Sequence, residues 1–205
     1  MSNIGNVDYM AIPAKADQMR ECGRGVCNEM YAMYNTIREM HADWYGVRYN
    51  ALVEEFNKIR PNINLMLNLV FTDLPDSLYA VANNYSRVDR QTIIREVSVE
   101  KPQLIEDLPI VDDNGKLRFN RNRVAERRQA VAVNIKKATE LIDEFEKVYR
   151  TIEWESEAAT VYTKTFTNLK EQLMTSFNDL RKQFAELMLQ TEQDFEQVEK
   201  ANTVQ

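Results

Sequence analysis

Apolar residues recur along most of the chain at alternating steps of four and three. One series runs from Val26 to Trp44, and a second runs from Leu52 to Val70. Such spacing places one apolar stripe along an α-helix that packs against another helix. Only a short interruption at residues 44–46 separates the two stripes, so the sequence predicts an antiparallel helical hairpin. The series are Val26, Met30, Met33, Ile37, Met40 and Trp44, then Leu52, Phe56, Ile59, Ile63, Leu67 and Val70.

Two prolines modify the second helix of this hairpin. Pro61 lies within its apolar stripe, where the missing N–H should kink the helix or leave a carbonyl unpaired. The sequence TDLP further on is typical of a new helix start, with Thr72 or Asp73 as the cap and Pro75 in the first turn. A short additional helix is therefore expected, ending at about Val88.

The middle of the chain, residues 91–119, has a different character. It contains TIIREVSV, which is rich in β-branched residues, and LPIVDDNGKLRF, in which Asn114-Gly115 separates two apolar runs. An Asn-Gly pair between apolar runs is a strong short-range signal for a β-hairpin. The helical spacing then returns from Val131 to Ile152 and ends next to the second tryptophan, Trp154. The sequence thus predicts a small β-hairpin insert between two helical regions.

The two helical regions repeat each other at an offset of 110 residues. Trp44 aligns with Trp154 and Gly46 with Ser156. Beyond them, apolar positions coincide throughout: Leu52 with Tyr162, Phe56 with Phe166, Ile59 with Leu169, Ile63 with Leu173, Leu67 with Phe177, Val70 with Leu180 and Leu74 with Phe184. Near the end of each copy, Tyr85 and Asp89 align with Phe195 and Glu199. A repeat of this kind indicates two related hairpins on one chain.

The bend residues have a physical role that fits a hairpin. Glycine at Gly46 tolerates backbone angles that other residues avoid, and the large ring of Trp44 can cover the open end of the hairpin core. In the second copy Ser156 replaces the glycine, so that turn should be less strained or reached by a longer route.

A single hairpin leaves its apolar stripe exposed, whereas two hairpins can bury their stripes in a common core. The predicted fold class is therefore mainly α: two antiparallel helical hairpins packed as an intramolecular four-helix bundle, with the small β-hairpin insert between them. The first hairpin with its short extra helix is assigned to residues 1–90, the insert to 91–119 and the second hairpin to 120–205.

Composition limits the function classes. The chain is 44% hydrophobic and 28% charged, with a formal charge of −6, so we expect no nucleic-acid partner. The N-terminus lacks a basic region followed by an apolar one, and no apolar run approaches membrane-spanning length. We expect no membrane insertion, and any export should use a route other than a cleaved signal peptide.

Candidate catalytic chemistry is sparse. Cys22 and Cys27 are five residues apart, on different faces of a helix, and are expected to be free thiols in or near the core. The single histidine, His41, lies beside the first bend and is expected to be a solvated or helix-end residue. There is no Glu-x-x-His pair, phosphate-binding glycine loop or Gly-x-Ser-x-Gly elbow. We therefore expect a protein that is not an enzyme and needs no cofactor or metal.

These residues resemble a known family. A helix, Trp-x-Gly, a second helix and then Tyr-x-x-x-Asp/Glu are similar to the WXG, or ESAT-type, proteins exported by type VII (ESX) secretion systems. Trp44-Tyr45-Gly46 and Tyr85-x-x-x-Asp89 match both motifs fully. The second copy departs from them, with Ser156 in place of the glycine and Phe195 in place of the tyrosine of the export motif, four residues before Glu199. The resemblance covers roughly residues 10 to 90 and 120 to 200.

The resemblance implies a fold and a role. Family members pair as dimers of hairpins, so this chain would be its own partner, a single-chain pseudo-dimer. It would be a secreted substrate or accessory protein, cytoplasmic before export and then secreted or at the cell surface. Tyr85 and Asp89, four residues apart on one helix face, would be recognised by the secretion ATPase or its membrane complex. The alternatives are a structural scaffold without an export role and a targeting partner for a co-secreted effector.

Overall fold

The computed structural model describes residues 7–91 and 100–203, and these residues form a mainly helical structure with four long helices and a small antiparallel sheet. In chain order the elements are α1 (Ile12–Glu39), a 3-10 turn (Met40–Ala42), β1 (Trp44–Tyr45), α2 (Val47–Asn68), a π-helical turn (Leu69–Asp73), α3 (Leu74–Val88), β2 (Arg118–Phe119), α4 (Arg121–Arg150) and α5 (Glu157–Thr203).

The two apolar stripes of the first half are buried as the spacing predicts. Every residue of the Val26 to Trp44 series is buried, and in the Leu52 to Val70 series Ile59 alone is half-buried. The positions aligned with Leu52 to Leu74 in the second half behave in the same way, with Tyr162 half-buried and the others, from Phe166 to Phe184, buried. The helical repeat is also kept in the element boundaries, since α2 begins at Val47 and α5 begins 110 residues later at Glu157.

The short helix expected after TDLP is present as α3, with Asp73 at the N-cap position, Pro75 in the first turn and an end at Val88. The Asp73 side chain makes no capping hydrogen bond, because the backbone before α3 is already helical. Pro61 lies inside α2 without ending it. The chain passes from α2 to α3 through the π-helical turn, in which the Leu74 N–H donates to the carbonyl of Leu69. This wider turn keeps the backbone helical up to Pro75, whose ring nitrogen has no hydrogen to donate.

Helix α1 lies along α4, and the two run in opposite directions. Near the start of α1, Lys15 donates to the carbonyl of Thr151, just beyond the end of α4. Near the end of α1, Glu39 pairs with Arg127 in the second turn of α4 at 3.4 Å. Later residues of α1 therefore contact earlier residues of α4, so the two helices are antiparallel.

Helix α2 and its continuation lie along α5 in the same antiparallel sense. At the start of α2, the Arg48 guanidinium donates to the Asp194 carboxylate at 2.9 Å. At the start of α3, the Ser77 hydroxyl donates to the Tyr162 hydroxyl at 2.7 Å. Each half of the chain is thus in contact with the other half along both of its helices.

The small sheet is present, but it does not have the predicted partners. Asn114 and Gly115 do form a turn, with φ values of 52° and 76°. The strand that follows, β2, pairs antiparallel with β1 at the first bend, with Trp44 opposite Phe119 and Tyr45 opposite Arg118. Within residues 100–119, the described part of the predicted insert at 91–119, the runs on either side of Asn114-Gly115 therefore do not pair as the expected hairpin. The β-branched segment at residues 92–99 lies outside the described residues.

The physical reason lies in residues 104–111, which we call the strap. The strap runs along α2 in a direction antiparallel to the helix, and its backbone is bound by asparagine side chains of α2. Peptide groups that are already hydrogen-bonded to these side chains cannot form a ladder with β2.

A close backbone approach joins α1 to the π-helical turn. A Cβ atom added at Gly23 would lie 2.5 Å from the carbonyl oxygen of Val70. We predict that Gly23→Ala lowers the free energy of unfolding by about 1–3 kcal/mol despite the better helix propensity of alanine, because a backbone oxygen cannot move aside alone. Urea unfolding followed by circular dichroism measures this.

Gly25→Ala is the matched control in the same helix. Its added Cβ would meet the Leu141 Cδ1 atom at 2.8 Å, which is the far end of a flexible side chain. We expect this variant to remain within about 1 kcal/mol of the parent protein. Equal losses for both variants would contradict the importance of the backbone contact at Gly23.

A pH-dependent ion-pair cluster joins α4 and α5. Glu146 accepts hydrogen bonds from Lys170 and Arg150, and the Lys170 bond is the main reason that the pKa of Glu146 is lowered. A lowered folded-state pKa means that the stabilisation is complete above the unfolded-state pKa and is lost as the pH falls through the folded value. We therefore predict that Glu146→Gln is less stable than the parent at pH 7 and that this difference shrinks below about pH 4. Unfolding curves across this pH range test it.

Candidate functional site

The first bend is built around Trp44, whose side chain is only 1% exposed. Its indole stacks on Phe184 of α5 with ring centres 6.1 Å apart and meets the edge of Phe119 of β2 at 5.8 Å. The tryptophan therefore closes the end of the core by joining three parts of the chain, since Phe119 and Phe184 come from β2 and α5.

Gly46 occupies a backbone conformation that favours glycine, with φ 119°. Its N–H donates to Asp113 Oδ2 at 2.9 Å, and a Cβ atom at this position would lie 2.8 Å from Leu117 Cδ2. The backbone torsion angles therefore require glycine at the start of α2, whereas the Leu117 contact involves only the flexible end of a side chain. Asp113 and Leu117 were not identified by the sequence analysis, because both lie far from the motif in the chain.

The same aspartate holds the histidine beside the bend. Asp113 Oδ1 lies 2.8 Å from His41 Nε2, and the His41 ring centre is 5.2 Å from that of Tyr49. The Tyr49 hydroxyl donates to the carbonyl of Ile37 at 3.2 Å, and burial raises the pKa of Tyr49 to about 12. These groups fix the bend, and His41 is a half-buried helix-end residue held by a partner.

The second bend is built differently. Trp154 is half-buried and lies 6.3 Å from the Tyr162 ring. The Ser156 hydroxyl accepts a hydrogen bond from the Ala159 N–H at 3.0 Å, as an ordinary helix N-cap does. Arg90 and Asn114 are the non-glycine residues with positive φ in the described chain, so Ser156 needs no unusual backbone angle. Serine at this position therefore caps α5 where glycine would only permit a turn.

An apolar pocket of about 380 Å³ lies beside the first bend. Phe195, which aligns with Tyr85 in the repeat, lines this pocket, and its ring centre lies 6.3 Å from that of Phe119. Val47 and Leu117 at its edge are 83% and 69% exposed, so the pocket opens to solvent between apolar side chains. Its lining consists of Trp44, Tyr45, Gly46, Val47, Arg48, Leu117, Thr191, Asp194, Phe195 and Val198.

Tyr85 and Asp89 lie at the C-terminal end of α3. Tyr85 is 37% exposed, and Asp89 is the helix C-cap, whose N–H donates to the carbonyl of Tyr85 at 3.1 Å. The Asp89 carboxylate accepts a hydrogen bond from the Tyr9 hydroxyl, which raises the pKa of Tyr9. The helix then stops because Arg90 adopts φ 56°. The exposed phenol ring and the carboxylate are thus presented together at a helix end.

The complete motifs lie at opposite ends of the molecule. The Trp44 bend shares its end with Phe195. Asp89 lies close to the N-terminal part of α1 through Tyr9, and Lys15 of α1 contacts Thr151 just before the second bend. The structure therefore brings Trp44 and Gly46 together with Phe195, which aligns with Tyr85 in the repeat. It places Tyr85 and Asp89 at the end that carries Trp154 and Ser156.

The two cysteines and the acidic side chains are the remaining candidate groups. Cys22 and Cys27 are free, and burial raises the pKa of the Cys27 thiol to about 11. No group of three or more histidine, cysteine, aspartate or glutamate side chains within residues 7–91 and 100–203 is placed to hold a metal ion. Among the described helices, none has the length and apolar character needed to cross a bilayer.

Comparison of the chain with protein-family models, with curated proteins and with solved structures gave no match.

The strained glycine at the first bend gives a direct prediction. We expect Gly46→Ala to destabilise the protein by about 1–3 kcal/mol, because φ 119° and ψ −172° form a backbone conformation that is essentially restricted to glycine. Gly115→Ala is the control, since its φ of 76° is closer to the left-handed region that other residues can adopt, and no atom lies within 4 Å of the added Cβ. The loss at Gly46 should exceed the loss at Gly115 in urea unfolding, and the reverse order would contradict the requirement for glycine at the first bend.

Proposed function

We propose that this protein is a single-chain WXG pseudo-dimer, a non-catalytic substrate or accessory protein of a type VII secretion system. Its two antiparallel helical hairpins form one four-helix bundle, in which each hairpin serves as the partner of the other. The protein is cytoplasmic before export and is then secreted or displayed at the cell surface.

The observation that carries the proposal is the repeated bend. Gly46 and Ser156 each precede the first residue of a long helix, and those helices begin 110 residues apart at Val47 and Glu157. The contacts of α1 with α4 and of α2 with α5 further support a pairing of hairpins. Because the linker joins the hairpins covalently, pairing needs no encounter between two chains.

Recognition would take place at the end of α3. The Tyr85 ring is partly exposed, and Asp89 at the helix end adds a carboxylate on the same side. A basic and partly apolar surface on the secretion ATPase or its membrane complex would bind both groups while the protein remains folded. Phe195 has no hydroxyl and lies beside the Trp44 bend, so the secretion machinery would recognise the second copy weakly or not at all.

Export in the native organism tests the proposal. We expect the Tyr85→Ala, Asp89→Ala variant to accumulate in cells while the parent protein reaches the culture medium, because the recognition patch is removed. A strain that lacks the secretion ATPase should retain both proteins. Cell and culture fractions are compared by immunoblotting, with a cytoplasmic protein as a marker of lysis.

The Phe195→Ala, Glu199→Ala variant is the matched control at the second copy, and it should still be exported. Purified variants should keep the helical circular dichroism of the parent, so that retention reflects lost recognition. Retention of the parent protein in every strain would refute the secretion role and favour the scaffold alternative. Co-purification with a larger exported protein would assign the chain as a targeting partner of an effector.

A further inference from the structure

The strap is held to α2 by three asparagines spaced seven residues apart. The side-chain amide of Asn57 donates to the carbonyl of Leu108 at 2.8 Å and accepts from the N–H of the same residue at 2.9 Å. Asn50 does the same with Val111 at 2.7 and 3.1 Å, and Asn64 with Ile105 at 2.9 Å in both bonds. We call these three two-bond contacts the asparagine ladder.

The ladder depends on a match between two repeats. Seven residues of an α-helix advance about 10.5 Å, which is close to two turns. Three residues of an extended or polyproline-type chain advance about 9–10 Å. Asparagines at every seventh residue of α2 therefore lie beside every third residue of the strap, and each side-chain amide bonds both the N–H and the C=O of one strap residue. This surface therefore recognises the backbone of an extended chain through hydrogen bonds.

The side chains of the strap follow the same period of three. Ile105 and Leu108 at the ladder positions are buried, with exposures of 1% and 2%, and Val111 is half-buried. Next to these positions, Leu104 and Ile110 are 44% and 53% exposed. In addition to the backbone hydrogen bonds, the surface of α2 therefore selects an apolar side chain at each third position of the chain that lies on it.

The sequence also limits the ladder to three steps at its far end. Seven residues beyond Asn64 the chain has Phe71, which lies in the π-helical turn, and three residues before Ile105 it has Pro102. Phenylalanine has no amide, and proline has no N–H, so neither side can make the contact. Pro109 lies between ladder positions, where its missing N–H costs no ladder bond.

We propose that the asparagine face of α2 is a binding site for an extended polypeptide, which the strap occupies as an intramolecular ligand. The partner is an extended segment of another protein with apolar residues at every third position, like Ile105, Leu108 and Val111. Proline is accepted between these positions and excluded at them, because each ladder residue must donate its N–H. Such a segment enters when the strap leaves, and the helices stay folded.

The test uses full-length protein and a labelled peptide with the sequence of residues 100–113. Ile105→Asp and Leu108→Asp together weaken the strap of the protein itself, and fluorescence anisotropy measures peptide binding. We expect this opened variant to bind the peptide at least tenfold more tightly than the parent, because the tethered strap competes at an effective concentration of about a millimolar. Adding Asn57→Leu to the opened variant should abolish binding.

Backbone methylation gives a matched pair of peptides. Methylation of the Leu108 nitrogen removes a ladder donor and should abolish binding, whereas methylation of the Glu106 nitrogen removes an N–H that the ladder does not use and should leave binding intact. Equal affinities for both peptides would overturn backbone recognition. An opened variant with parental helical circular dichroism that binds no peptide up to 1 mM would refute the proposal.

Amide hydrogen exchange of the parent protein covers the case in which the opened variant unfolds. The Ile105, Leu108 and Val111 amides should exchange through a local opening at a lower free energy than the α1 and α4 amides. Exchange of these three amides only through global unfolding would exclude release of the strap and overturn the proposal. Neither experiment involves the secretion system, so a failure of export leaves this result unaffected.

Discussion

The structure depends on the need of each half of the chain to cover the apolar stripe of the other. Residues spaced by four and three on α1 and α2 are buried, and the helices that lie along them are α4 and α5 from the second half. A two-helix hairpin has no second layer to exclude water from such a stripe. The bends and the sheet cover the core at the ends of the helices, and the strap covers α2 along its length.

The helices and most of the buried positions could be predicted because an amphipathic helix leaves a local periodic signal. Val26, Phe56 and Phe166 all lie in such series and are buried. The π-helical turn was missed because TDLP has the composition of a helix start, and local composition does not reveal that the preceding turn can widen to accommodate Pro75.

The strap and the sheet could not be predicted for a different reason. Asn50, Asn57 and Asn64 look like ordinary polar positions until an extended segment lies beside them, and that segment carries a period of three that neither a helix nor a strand would show. Asn114-Gly115 does form a turn, but the peptide groups before it are bound to α2. Long-range competition for hydrogen bonds therefore overrides the local hairpin signal. The roles predicted for Tyr85 and Asp89 rest on resemblance, and geometry adds only their position at a helix end.

The difference between the two bends also has a consequence for how the sequence of such a protein can evolve. In a symmetric dimer of identical chains, every substitution occurs twice and affects both ends of the bundle together. Here the first bend has a glycine with positive φ and the second has a serine cap, and one end carries a tyrosine where the other has a phenylalanine. Joining the copies in one chain frees each end to vary alone, so one end can retain a binding role while the other is altered for stability.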